Sequence, residues 1–373
     1  MERQCPRLLV DLSVLRSNAR EIISRCRAVG IDVCGVIKGC DGMPEVARVM
    51  KEEGAVQLAT SRIEQVIACR EADIPGPYLL LRVPAVREVP SVVRWCDISL
   101  QSERRVLAAI EEECQKQDKH HAVIIMADLG DLREGFWDKE DMVRVCTWVE
   151  RSLPHVDLLG VGVNLGCYGS IQPTPEKMND LLQIAHRVEK EIGRTLEVVS
   201  GGATSSFTLV HWGSMPRGIN HLRIGENILT AHDLPVDWGI HNMNYIQNGV
   251  FTLQAEVLEV KVKPSYPQGN LAIDAFGNRP TYTDIGMRRR ALLGFGRADV
   301  GTVESLIPLE PGMTVVGGSS DHCIVDVTQC REDLQVGDVV TFRLCYSHML
   351  YATSRQDVAL LIKNGNEEEF SHV

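Results

Sequence analysis

From Leu8 to about Ile224, short runs of Val, Ile and Leu alternate with longer amphipathic stretches. That rhythm predicts parallel strands joined by crossover helices. In the first helix Val14, Leu15, Ala19, Ile22, Ile23 and Cys26 fall at helical spacing, Ser13 is the expected N-cap, and Gly30 stops the element before a strand at 33–37. Further strands are expected at 56–59, 78–82, 97–100, 123–127, 158–163, 196–199 and 221–224, each after a helix-like segment. Eight strand–helix units fit a closed (β/α)8 TIM-type barrel, and an open doubly wound sheet gives nearly the same periodicity. Beyond about residue 240 the helical period fades and short alternating runs such as 251–257 take over. Pro311-Gly312, Gly317-Gly318 and Val336-Gly337-Asp338 read as turns between strands at 314–316, 323–327 and 339–344. The expectation is an α/β chain with a barrel over residues 1–240 and a C-terminal all-β domain over 241–373.

Composition narrows the functional classes. A chain of 373 residues, 44% hydrophobic and 24% charged, can bury a large core. Its net charge is -11 and its basic residues are scattered, so neither nucleic acid nor an anionic membrane is an expected partner. Small-molecule chemistry is the better default. The 12 cysteines include no CxxC pair, and several lie in apolar runs, so reduced structural thiols are expected and no metal site. The first residues lack an apolar signal core, and no run approaches the roughly 18 apolar residues of a membrane span. A cytoplasmic location is expected.

In parallel α/β proteins ligands bind at the carboxyl ends of the strands. Here those ends carry Lys38, residues 128–134, Asn164, Ser200 to Ser206 and Arg223 to Glu226. Lys38 is either a solvated strand end or an amine whose pKa is lowered for imine formation, since no acid neighbours it in Cys34-Gly35-Val36-Ile37-Lys38-Gly39. Ser200-Gly201-Gly202-Ala203-Thr204-Ser205-Ser206 is either a turn or a phosphate cradle of small residues, N–H groups and hydroxyls. Arg133 can fork onto a substrate carboxylate or pair with Asp128, Asp131 or Glu134, and Arg223 can face a cofactor or pair with Glu226.

Together, Val36-Ile37-Lys38, the 130–136 segment, Gly160-Val161-Gly162-Val163-Asn164, Ser200 to Ser206 and Leu222-Arg223-Ile224-Gly225 resemble the alanine racemase superfamily of fold-type III pyridoxal-phosphate (PLP) enzymes. Asp128-Leu129-Gly130-Asp131-Leu132-Arg133-Glu134-Gly135, Asn164-Leu165-Gly166-Cys167-Tyr168-Gly169, Ile285-Gly286-Met287-Arg288-Arg289-Arg290-Ala291 and Gly318-Ser319-Ser320-Asp321-His322 resemble its ornithine racemase branch. The resemblance implies a PLP-carrying barrel in homodimers whose active sites are completed by the partner's β domain. It implies a Schiff base on Lys38, with Arg223 facing the pyridine nitrogen and Thr204, Ser205 and the Gly225 backbone on the phosphate. Asn164, Ser200 and Tyr346 complete the expected cofactor contacts, Tyr346 replacing a tyrosine that 39–42 lacks. Arg133 is expected near the substrate carboxylate, and Asp131 or Glu134 near a side-chain ammonium.

Racemisation needs an acid/base on each face of the reacting carbon. Lys38 serves one. The family's second base is a tyrosine of the partner's β domain, and the corresponding segment here places Phe295 there, which carries no proton. Asp321 and His322 are the expected replacements. The function expected is racemisation of a free amino acid, a basic one such as ornithine or lysine before alanine or serine. A decarboxylase or an aldolase of the same fold is the alternative, although Ser320 stands where such decarboxylases resemble one another in a Cys before Asp. A PLP-carrying protein without turnover is a third reading, disfavoured by the large β region.

Overall fold

The computed structural model describes residues 5–365 and 367–370, without the side chains of 368–370. The eight barrel strands are β2 (Asp32–Val36), β3 (Gln57–Thr60), β4 (Tyr78–Leu80), β5 (Ile98–Gln101), β6 (His121–Ala127), β7 (Val156–Val163), β8 (Val198–Ser200) and β9 (His221–Ile224). They pair in parallel and in sequence order, and β9 returns to β2 through Asp32↔His221 and Cys34↔Arg223. The sheet is therefore closed, which decides between the barrel and the open sheet. Cys34, Val36, Ala59, Leu79, Ile98, Leu100, Ile124, Met126 and Val198 pack as one buried cluster of strand residues. A larger cluster includes the apolar stripes of the helices Arg104–Gln117, Lys139–Ser152 and Pro175–Ile192, with Leu107, Ile110, Val149, Leu181 and Val188 fully buried. Period-2 faces and period-3.6 stripes thus cover one another, as the alternation in the sequence requires.

The second unit is a mostly antiparallel sheet of nine strands: β1 (Arg7–Asp11), β10 (Phe251–Pro264), β11 (Met287–Leu293), β12 (Ile307–Pro308), β13 (Thr314–Gly318), β14 (Cys323–Asp326), β15 (Val339–Arg343), β16 (Ala359–Asn364) and β17 (Glu367–Phe370). Here the structure corrects the expected division at residue 240. β1 runs antiparallel to β10 (Leu8↔Leu253) and parallel to β16 (Leu9↔Leu361), so the chain through Val14 belongs with the residues from Gln247 onward. The barrel unit is Leu15–Ile246. Residues just past 240 stay with it because Asn242 and Tyr245 bond both ring nitrogens of His211, at 3.0 and 2.8 Å.

The first helix is also capped differently than expected. Asp11 Oδ1 accepts from the N–H groups of Ser13 and Val14 at 3.0 and 3.2 Å, and the helix starts at Leu12. An aspartate satisfies the free N–H groups of a first turn as well as serine does. The Ser13 hydroxyl instead accepts from Gly365 N–H at 3.1 Å.

Candidate active site

The carboxyl ends of the barrel strands gather most of the expected site. β2 leaves its ladder at Val36, and Lys38 opens a single 3-10 turn, Lys38–Cys40, held by Gly42 N–H donating to Ile37 carbonyl at 3.0 Å. The Lys38 ammonium makes no ion pair among the described residues, and burial lowers its pKa from the ordinary lysine value. Charges on Arg133 and Arg223 lower it further, while Glu134 and Cys167 act the other way. Those four neighbours come from the loops after β6 and β7 and from β9 itself, so three other strands bear on this amine. A desolvated amine is the form that attacks a carbonyl carbon.

Arg223 lies on β9, buried with 3% of its surface exposed. It does not pair with Glu226, whose Oε1 accepts from Thr230 hydroxyl and from the N–H groups of His232 and Asp233 at 3.1 and 2.9 Å. Arg223 donates instead to Ser200 Oγ and to the carbonyl of Val163 at 2.8 Å. Two of five guanidinium N–H groups are thereby used, all on neutral acceptors. An uncompensated buried ion costs several kcal/mol, so this guanidinium is placed for something other than stability.

The segment after β8 forms the cradle. Thr204–Ser206 is a 3-10 turn running into the helix Phe207–His211, and Thr204 Oγ1 accepts from Gly225 N–H at 3.4 Å. Gly202 holds φ +121, and a Cβ on it would stand 2.4 Å from Ser206 Oγ. A Cβ on Gly225 would reach 2.7 Å from the Val36 carbonyl. Both positions need glycine for backbone reasons. The Ser205 hydroxyl faces away from its expected role, donating to the Leu165 carbonyl at 2.7 Å. What remains open is different: Ser206 Oγ and Asn164 Nδ2 are buried polar atoms without a partner. Each such atom costs about 1–3 kcal/mol unless a ligand or water satisfies it. Asn164 was expected in the site; Ser206 was not singled out.

The two expected substrate contacts are each engaged within the chain. Asp131 is buried, and its carboxylate accepts from the N–H groups of Cys167, Tyr168 and Gly169 at 3.2, 3.2 and 3.1 Å. It ties the loop after β7 to the loop after β6, and its lone pairs are not turned to a substrate ammonium. Arg133 forks onto Glu134, with one contact of 2.7 Å, so the ion-pair alternative is the one observed.

The β unit carries the rest. Asp321 and His322 are exposed in the turn between β13 and β14, and Ser320 Oγ donates to Asp321 Oδ2 at 2.5 Å. Tyr346 opens the helix Tyr346–Ala352. Phe295 is buried in that unit's core, edge-to-face with Phe342 at 5.6 Å, which corrects its expected place at the reacting face. A ring with no polar handle gains more by packing there.

A closed parallel barrel thus brings to its strand ends a partly buried lysine, an arginine with no ion pair among the described residues, and a turn of small residues. Residues 10–231 match the family described as alanine racemase, N-terminal domain, and this chain belongs to that family. It is 37% identical to an ornithine racemase of Acetoanaerobium sticklandii over 92% of this chain and 96% of the relative. It is likewise 37% identical to a lysine racemase of Thermotoga maritima, over 93% of this chain and 95% of the relative. In fold it matches a solved alanine racemase of Clostridium difficile 630 with a TM-score of 0.75 at 19% identity, covering 99% of this chain and 98% of that one.

The cofactor of the family is pyridoxal 5'-phosphate, and this enzyme is an isomerase of that class. The residues present fit the group. Lys38 offers an amine unpaired among the described residues, the 202–206 turn offers an anion site bordered by the open Ser206 hydroxyl, and Arg223 offers free N–H donors. Among the described residues no His/Cys/Asp/Glu group suits a metal and no helix is long and apolar enough to cross a membrane.

Proposed function

We propose that this enzyme racemises a basic amino acid of the ornithine and lysine kind. The observation that carries the reading is Lys38, a desolvated amine at the first strand exit with Arg223 and the 200–206 turn among the neighbouring exits. The substrate ranking is supported by two relatives named for ornithine and lysine at equal identity. Bound PLP supplies an electron sink that makes the substrate's Cα–H acidic. Lys38 would hold the cofactor through Nζ, and its amine would move the proton on one face of Cα. Arg223 would present a guanidinium rather than an acid to the ring nitrogen, and Thr204, Ser206, Asn164 and the Gly225 N–H would orient the rest.

The Arg133–Glu134 pair suits a substrate bearing both signs: the arginine takes the α-carboxylate and the glutamate the distal ammonium, so each charge exchanges one partner for another. Asp321 or His322 of a second subunit serves the opposite face of Cα. Support for a homodimer comes from the β unit, where Val262, Leu271, Ile273, Phe276, Ile285 and Met287 are exposed within one segment. All 12 cysteines are unpaired and eight are buried, which agrees with a reducing cytoplasm.

The test is a panel of single-enantiomer amino acids in deuterated water with chiral product analysis. Ornithine and lysine should each yield both enantiomers with deuterium at Cα. Efficient turnover of alanine alone overturns the substrate class, and release of carbon dioxide or an aldehyde overturns the reaction.

A further inference from the structure

The least conventional feature of the site lies beneath Arg223. His221 stands two residues earlier on β9, so both side chains project to the same side of the strand. His221 is buried, with Nδ1 at 2.8 Å from Ser200 Oγ and Nε2 at 3.2 Å from Gln57 Oε1. Ser200 also accepts from Arg223. The placement of the Gln57 amide oxygen, rather than its nitrogen, toward the ring gives these bonds their directions. Gln57 Oε1 has no hydrogen, so His221 donates from Nε2 and its Nδ1 keeps a lone pair. Ser200 must then donate to that Nδ1, which leaves its own lone pairs for the guanidinium. Burial, with Arg223 adding to it, pushes the His221 pKa down to about 3, so the ring stays neutral across working pH.

We propose that Gln57, His221 and Ser200 form a neutral, one-way hydrogen-bond relay that sets the position of Arg223 toward the ring nitrogen of the cofactor. His221 and Gln57 are positioning residues, since neither touches the reacting atoms. Neutrality is the point of the arrangement. A carboxylate in place of His221 would compete with the cofactor for the guanidinium and balance its charge, and an imidazolium would repel it. A neutral ring does neither, and its tautomer tells Ser200 which way to turn its hydrogen. Three elements are joined, β3, β8 and β9, so the relay also restrains the Arg223 side chain from swinging off Ser200.

The inference rests on the proposed racemase reading, and the test separates the two. Long-range nitrogen–proton spectra of the holoenzyme labelled in histidine should show His221 as the neutral Nε2–H form, assigned by its loss in His221→Gln. Gln57→Leu should let Nδ1–H form, shift the visible absorption of the bound cofactor, and lower kcat about tenfold or more with KM changed less than threefold. His221→Gln, which still offers Ser200 an acceptor, should recover most of the kcat lost in His221→Phe. An Nδ1–H or doubly protonated His221 in the unmodified enzyme overturns the relay, as does a Gln57→Leu enzyme with unchanged cofactor spectrum and kcat. If the protein racemises nothing, the tautomer and the spectrum still report on Arg223.

Discussion

Arg223 and Arg133 were both expected in the site, and the structure treats them in opposite ways. Arg223 sits on a strand, buried, with a ladder on each side and only neutral acceptors. Arg133 sits in the loop after β6 and closes onto its own neighbour Glu134, which holds its pKa above the ordinary arginine value. A strand position is fixed by its ladder whether or not the side chain finds a counter-ion. A loop side chain near solvent is free to turn to the nearest opposite charge. Rigid strand ends can therefore hold a charge in a state of readiness, while the loops above them adapt to the substrate.

The comparison can be broken in order of expected effect. Arg223→Ala should lower kcat on the order of 100-fold, the usual loss for one preorganised donor, with the cofactor spectrum altered; steady-state kinetics and absorption check it. Arg133→Ala should act mainly on KM, raising it about tenfold for one lost charged hydrogen-bonding pair, with kcat nearly kept. If kcat falls as far as in Arg223→Ala, the loop arginine is as fixed as the strand arginine and the contrast fails. Asp131→Ala should leave three N–H groups of residues 167–169 unsatisfied and cost about 1–3 kcal/mol in stability, read by calorimetry.

The smallest effect is a pH dependence. The folded pKa of Lys38 is lowered, so below its ordinary value of 10.5 the folded chain binds fewer protons than the unfolded one. Stability of the cofactor-free protein should then rise with pH between the lowered pKa and 10.5, and fall short of its maximum below that window. Lys38→Met should flatten this slope, as measured by denaturant midpoints across the window.

What the sequence revealed divides along the same line as the two arginines. Barrel strands announce themselves because each is an apolar run with a polar exit, and Lys38, Ser200 and Arg223 follow from the exits. The N-terminal strand escaped notice because Arg7–Asp11 resembles any other Val/Leu run, and its partners lie about 245 and 352 residues further along, at Phe251–Pro264 and Ala359–Asn364. Asp131 was legible as an acid at the mouth but not as an anchor, since its partners are backbone N–H groups 36 to 38 residues on. Phe295 was legible as lacking a proton, and only packing against Phe342 shows where such a ring goes. His221 and Gln57 are 164 residues apart, and no local pattern joins them. The one signal available was a His two residues before an Arg on a strand, which places both on one side.

The central claim is that the barrel mouth at Lys38 is where the cofactor is held and the substrate's proton is moved. Reducing the holoenzyme with borohydride and mapping its peptides tests it most directly. The account predicts one pyridoxyl-modified lysine per chain, Lys38, with activity lost in proportion. Modification at another lysine, or an enzyme that stays active after complete labelling of Lys38, contradicts it.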